Sequence, residues 1–124
     1  MTIHAVFGSF AVKDLSEAKE FYSGTLGLDT EEMTEMGLLK INLPTGGHVM
    51  VYPKDDHAPA NFTVLNLVVG SVDTAVEELA GRGVTFERYD GFNQDESGIA
   101  RGRGPSIAWF KDPSGNTLAV FEEN

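Results

Sequence analysis

Cysteine is absent from these 124 residues. That excludes disulfides, thiol nucleophiles and Cys-based zinc or iron–sulfur sites. Positive charge is scarce: nine Lys plus Arg stand against nineteen Asp plus Glu, a formal net charge of −10. Nucleic acid and anionic membrane surfaces both ask for clustered basic side chains, so neither partner is expected. No apolar run approaches the ~20 residues that span a bilayer. No basic segment followed by an apolar stretch marks a secretory signal, and a cytoplasmic protein is the expectation. Imidazole is rare too. His4 lies at the edge of the first strand and reads as solvated. His57 sits beside Asp55 and Asp56 without a second imidazole to complete a metal hook.

What is present is a repeat. Val12 to Leu28 (VKDLSEAKEFYSGTLGL) ends a strand, opens a helix and stops it at Gly27. Asp14 is the expected cap, with Glu17 completing a capping box. Leu15, Ala18, Phe21 or Tyr22, and Leu26 fall on one helical face. The plan returns at Val68 to Val84 (VVGSVDTAVEELAGRGV), with Ser71 at the cap position. Val72, Ala75, Val76, Leu79 and Ala80 make its apolar stripe. A second echo follows each helix. Pro44-Thr45-Gly46 matches Pro113-Ser114-Gly115, which aligns Val49 to Tyr52 with Leu118 to Phe121. Two copies of one unit are expected: residues 1–53, a polar linker over 54–61 (KDDHAPAN), and residues 62–124.

Within the first copy, strands are expected over Ile3–Val12, Asp29–Thr34, Leu38–Leu43 and His48–Tyr52. In Leu38–Leu43 the residues Leu39, Ile41 and Leu43 alternate with Leu38, Lys40 and Asn42, the pattern of a half-buried strand. The second copy has strands over Phe62–Val69, Val84–Tyr89, Ile107–Phe110 and Thr117–Glu122. Asn66 is the one polar residue of FTVLNLVV, and its amide needs the sheet, a water or a ligand as partner. Asp90 to Ser106 is the least regular stretch, with four glycines and both signs of charge, so it is either a functional lid or a plain hairpin loop. Arg101 and Arg103 are its cations. They could clamp a carboxylate or phosphate, or simply offset Asp95 and Glu96.

These segments carry a family resemblance. VKDLSEAKEFYSGTLGL and FKDPSGNTLAVFE resemble the opening and closing segments of the vicinal oxygen chelate superfamily, which includes glyoxalase I, extradiol dioxygenases, and fosfomycin- and bleomycin-resistance proteins. The resemblance implies an α+β fold of two tandem βαβββ modules whose sheets form an open barrel-like cleft. In metal-dependent members the ligands come from the first and last strands of each module. Carried onto this chain, those positions are Phe7, Met50, Val64 and Ala119. Phe, Val and Ala have no donor atom, and a thioether suits Cu(I) rather than zinc, nickel or iron. No metal or other cofactor is therefore expected. His48 is the only imidazole on the four strands, and one ligand does not build a catalytic site.

The resemblance would make Phe7, Ser9, Met50, Tyr52 and Val64 cleft-facing, together with Asn66, Trp109, Ala119 and Phe121. An aromatic wall with few polar anchors suits a small-molecule pocket. The expected function is metal-free binding of a small aromatic or conjugated molecule, with Arg101 as a further ligand contact, by sequestration or sensing. Two alternatives stay open. One is an enzyme using an atypical metal site, or an acid–base pair drawn from His48, Tyr52, Asp95, Glu96 and Arg101. The other is a non-catalytic structural homologue. A homodimer is expected, because open sheet edges are a liability in solution.

Overall fold

A computed structural model describes residues 1–102 and 104–123. The chain divides into two compact units, residues 1–58 and 59–124.

The first unit opens with β1 (Gly8–Val12). Helix α1 (Leu15–Lys19) follows and runs into a π-helical segment, Glu20–Thr25. Asp14 caps α1 as the sequence predicts, its carboxylate accepting the Glu17 N–H at 3.0 Å. The π segment is not legible in the periodicity. Its cause is local: the Ser23 hydroxyl donates to the Lys19 carbonyl and competes for an i−4 acceptor. The Leu26 N–H then reaches back five residues to Phe21. The wider turn brings both Phe21 and Tyr22 inward, where a regular helix would favour one of them. Gly27, at φ 73°, ends the segment as expected.

Strands β2 (Asp29–Met33), β3 (Leu38–Asn42) and β4 (His48–Pro53) complete a sheet of order β1-β4-β3-β2. β1 runs parallel to β4, and the other pairs are antiparallel. The predicted alternation in β3 holds: Leu39 and Ile41 are buried, while Leu38, Lys40 and Asn42 are half-buried. Leu39, Ile41, Val51 and Val12 form the core with Ala18, Phe21 and Tyr22. The first strand is shorter than expected. Gly8 pairs with Val49, one residue past the start of β4, so residues 3–6 have no strand left to pair with. Ile3 and Val6 are accordingly exposed.

The second unit repeats the order. β5 (Thr63–Val69), helix α2 (Val72–Gly81), β6 (Ile107–Lys111) and β7 (Thr117–Glu122) give a sheet β5-β7-β6, with β5 parallel to β7. Ser71 caps α2, its hydroxyl accepting the Thr74 N–H, and the Glu122 carboxylate accepts the Val72 N–H at 3.0 Å. Val72, Val76 and Leu79 of α2 belong to a core that includes Ala108, Phe110, Leu118 and Val120.

The expected strand Val84–Tyr89 is the one element that does not form. Only Phe86 bridges to Phe110, with the Glu87 N–H donating to the Trp109 carbonyl at 2.8 Å. The reason is a side-chain competitor. The Gln94 amide donates to the Glu87 and Gly98 carbonyls and accepts the Tyr89 N–H, occupying groups a ladder would use. The stretch from 90 to 102 is a knit hairpin, with bridges Gln94–Ala100 and Ala100–Ile107. The turn over Asp112 to Gly115 forms as predicted, the Gly115 N–H donating to the Asp112 carbonyl. Gly115 has φ 84°, and a Cβ there would meet Pro59 at 3.0 Å, so glycine is required twice over.

Candidate functional site

In each unit the helix covers one face of the sheet, and the expected site residues lie mostly on the other. Ladder partners share a face. In the first unit Ser9 pairs with Met50 and Met50 with Lys40, while Ala11 pairs with Tyr52. Ser9, Met50 and Tyr52 therefore face away from α1. Phe7 precedes β1, is 55% exposed, and stacks on His48 with ring centroids 4.9 Å apart. The β2–β3 side of this face is polar. The Asn42 amide donates to Asp29 and Glu31, and Lys40 approaches Glu31 at 3.7 Å. The Asn42 bond first, then the Lys40 charge, hold the Glu31 carboxyl below its usual range.

In the second unit Asn66, Ala119 and Trp109 form one rung across the sheet. Val68, Phe121 and Ile107 form another. The repeat alignment pairs Ser9 with Asn66 and Met50 with Ala119, and the ladders agree: Ser9 lies opposite Met50, and Asn66 opposite Ala119. Ala119 is fully buried, whereas Asn66 is exposed rather than buried in the strand. Its side-chain amide makes no hydrogen bond among the described residues. Val64 sits where the β5–β7 ladder shifts register, between Thr63 and Leu65.

Trp109 gains two neighbours that the sequence reading did not single out. Tyr89 and Phe92 meet it edge to face, with centroids at 5.4 Å and 4.8 Å. Trp109 is only 9% exposed, but Phe92, just before the Gln94–Ala100 bridge, is 54% exposed. The available signal was two aromatics three residues apart, flanking Asp90-Gly91.

Arg101 does not stand free to clamp an anion. Its guanidinium donates to Asp73 on α2 and to Asp95 on the hairpin. Those carboxylates raise its pKa, the Asp73 bond most. Arg103, its expected companion, lies outside the described residues. Asp95 organises the hairpin. Burial pushes its carboxyl up, yet the Ile99 N–H, the Arg101 guanidinium and the Ser97 N–H outweigh that and hold it below the ordinary aspartate range. A lowered carboxyl adds stability above its unfolded pKa and loses it as pH falls through the folded one. Protection of the Ile99 amide from exchange, relative to an unfolded chain at the same pH, should therefore hold at neutral pH and fall only on acidification below ~3.9. An onset near neutrality would contradict this assignment of Asp95.

A divalent metal does not fit the positions that the sequence reading assigned to it. Phe7, Val64 and Ala119 offer no lone pair, Met50 offers a thioether, and His48 is stacked against Phe7. Among the described residues no three His, Asp or Glu side chains gather as a metal site. Nor is any described helix long and apolar enough to cross a membrane.

Comparison with known proteins agrees with this architecture. TnmS3, an antibiotic binding protein from Streptomyces sp. CB03234, superposes with a TM-score of 0.76 at 24% identity, covering 100% of this chain and 99% of that one. A member of the Glyoxalase/bleomycin resistance protein/dioxygenase superfamily from Sphaerobacter thermophilus gives 0.71 at 25% identity, covering 96% and 98%. The fosfomycin resistance protein FosX from Listeria monocytogenes gives 0.73 at 13% identity, covering 100% and 96%. A search of curated protein sequences finds no match. The family profile described as Glyoxalase/Bleomycin resistance protein/Dioxygenase superfamily matches residues 2–120. Two units of repeated topology and a profile spanning almost the whole chain lead to one assignment: the protein belongs to the Glyoxalase/Bleomycin resistance protein/Dioxygenase superfamily.

Proposed function

We propose that this protein binds a small aromatic or conjugated molecule without a metal, and sequesters or senses it rather than transforming it. The observation that carries the reading is the Asn66–Ala119–Trp109 rung. Ala119, between the other two, is fully buried. Trp109, with Tyr89 and Phe92 behind it, forms an aromatic wall on one side. The Asn66 amide stands on the other with its hydrogen-bonding groups available. A flat ligand can pack against the exposed Tyr89 and Phe92 of that wall and hydrogen-bond to Asn66. Phe121 and Val64 extend that surface, and Phe7, Ser9, Met50 and Tyr52 are the ligand contacts proposed for the first unit. Arg101 is left out, because two carboxylates already engage it.

The empty donor set at Phe7, Met50, Val64 and Ala119 favours binding over metal-assisted chemistry. TnmS3 is an antibiotic binding protein, and its likeness in fold supports the same reading. The test is a thermal-melting screen of aromatic antibiotics and metabolites, run in chelator. A ligand that binds only the folded state raises the midpoint by mass action. A rise that appears only when divalent metal is restored would overturn the metal-free reading.

A homodimer belongs to the same proposal. Ile3, Val6, Phe62 and Val68 are large apolar side chains left exposed in the single chain, and they invite cover. Light scattering should give twice the 13.4 kDa of one chain. A mass near 13.4 kDa would contradict the dimer.

A further inference from the structure

The helix side of the second unit holds a feature that the Trp109 face does not use. Helix α2 and residues 84–99 enclose a groove of about 640 Å³, within the range of small-molecule sites. Residues 84–89 meet β6 only through the Phe86–Phe110 bridge and the Glu87–Trp109 hydrogen bond, and Val84, Thr85, Phe86 and Arg88 form the groove's second wall. Phe86 packs on Phe110 with centroids 5.6 Å apart, on the buried face of β6. Trp109, the preceding residue in the chain, points to the opposite face. The sheet therefore separates the groove from the aromatic wall.

The lining has two parts. Val76, Ala80, Phe86 and Ile99 supply an apolar floor, with Ile99 1% exposed and Val76 5% exposed. Glu77 from the helix and Glu96 from the hairpin stand at its rim. Nearby cations answer them only in part: Arg88 lines the groove as well, one guanidinium against these two carboxylates. Arg101 is taken by Asp73 and Asp95. Arg88 turns its Nη2 to the Asp95 and Glu96 carbonyls, at 2.6 Å and 2.8 Å. Among the described residues neither Glu77 nor Glu96 has an ion pair.

We propose that this groove is a second binding site, one for an organic ammonium ion with an apolar body. Glu77 and Glu96 outnumber the one lining cation, Arg88, and above an apolar floor they complement such a molecule at both ends. An anionic ligand would meet uncompensated charge, and a plain hydrocarbon would leave the carboxylates unused. Arg101 serves the site indirectly, by tying the hairpin that carries Glu96 to α2, while Arg88 both lines the groove and holds that hairpin.

The test follows backbone amide NMR signals while benzylammonium, and then benzyl alcohol, is added to the whole protein. With benzylammonium, the Ala80, Phe86 and Ile99 amides should shift and saturate. Benzyl alcohol should bind about fivefold more weakly, the scale set by exposed carboxylate contacts. The doubly substituted Glu77→Gln, Glu96→Gln protein should lose the same factor. High salt should weaken benzylammonium binding to the unaltered chain, which needs no substitution. Equal response to the alcohol, an unchanged double variant, or no saturable shift overturns the proposal. So does a response confined to the Trp109 indole. The Trp109 signal reports the other face, so failure here is separable from failure of the aromatic-ligand reading.

Discussion

Replacing Asp112 with Ala will lower the unfolding midpoint by about 10 °C. Asp112 is 5% exposed and is the hub of the turn between β6 and β7. Its carboxylate accepts the N–H groups of Ser114 and Asn116, both at 2.9 Å, and the Asn116 side-chain amide at 3.1 Å. Asn116 is 2% exposed and in turn accepts the Ala60 N–H at 3.3 Å, tying the entry to β5 to this turn. Truncation strands several buried donors. Each costs about 1–3 kcal/mol, and some recover by admitting water, so a net loss of about 3 kcal/mol is expected. For a chain of this size each kcal/mol is worth about 3–4 °C. Asn116→Ala should cost less, because it leaves the backbone bonds to Asp112 intact. Differential scanning calorimetry measures both. A midpoint within about 2 °C of the unaltered protein for Asp112→Ala would mean that the network is ornamental.

Trp109→Ala will separate wall from anchor. Deleting a large buried aromatic typically costs about 3–5 kcal/mol. Here it also releases the edge contacts to Tyr89 and Phe92, so the base of the hairpin should loosen as well. A ligand found in the melting screen should lose about tenfold or more in affinity, since stacking is worth about 0.5–1.5 kcal/mol beyond the area it buries. Asn66→Leu is the complementary variant. Asn66 is exposed and bonds to no described side chain, so stability should stay within about 0.5 kcal/mol. Affinity should still fall about fivefold, through loss of one hydrogen bond. Isothermal titration calorimetry on both variants distinguishes the roles. Undiminished binding by Trp109→Ala would remove the aromatic wall from the site.

Elements set by local chemistry were the legible ones. Asp14 and Ser71 cap their helices, Gly27 stops the first, and Thr117–Glu122 forms with the predicted bounds. Caps, turns and alternation act over a few residues, so the sequence displays them directly. The repeat was legible for the same reason, and its alignment reappears in the register of two ladders. What failed depends on distant competition. The strand over 84–89 has suitable residues but loses its ladder to the Gln94 side chain, a contact that no period encodes. The π segment turns on where one hydroxyl, Ser23, points. At the candidate site, strand parity put Ser9, Met50 and Tyr52 on one face of the first sheet, and Asn66, Trp109, Ala119 and Phe121 on one face of the second. Arg101 is engaged across 28 residues by Asp73, and Phe92 reaches Trp109 only because the hairpin folds back; spacing reveals neither contact.

The most direct test of the central claim uses the single tryptophan as its own reporter. The protein is stripped with chelator and titrated with an aromatic compound chosen from the melting screen, while Trp109 emission is recorded with and without added divalent metal. The account predicts saturable quenching with the same midpoint in both, weakened in Asn66→Leu. Quenching that requires metal, or a panel in which no compound moves Trp109 emission, would contradict it.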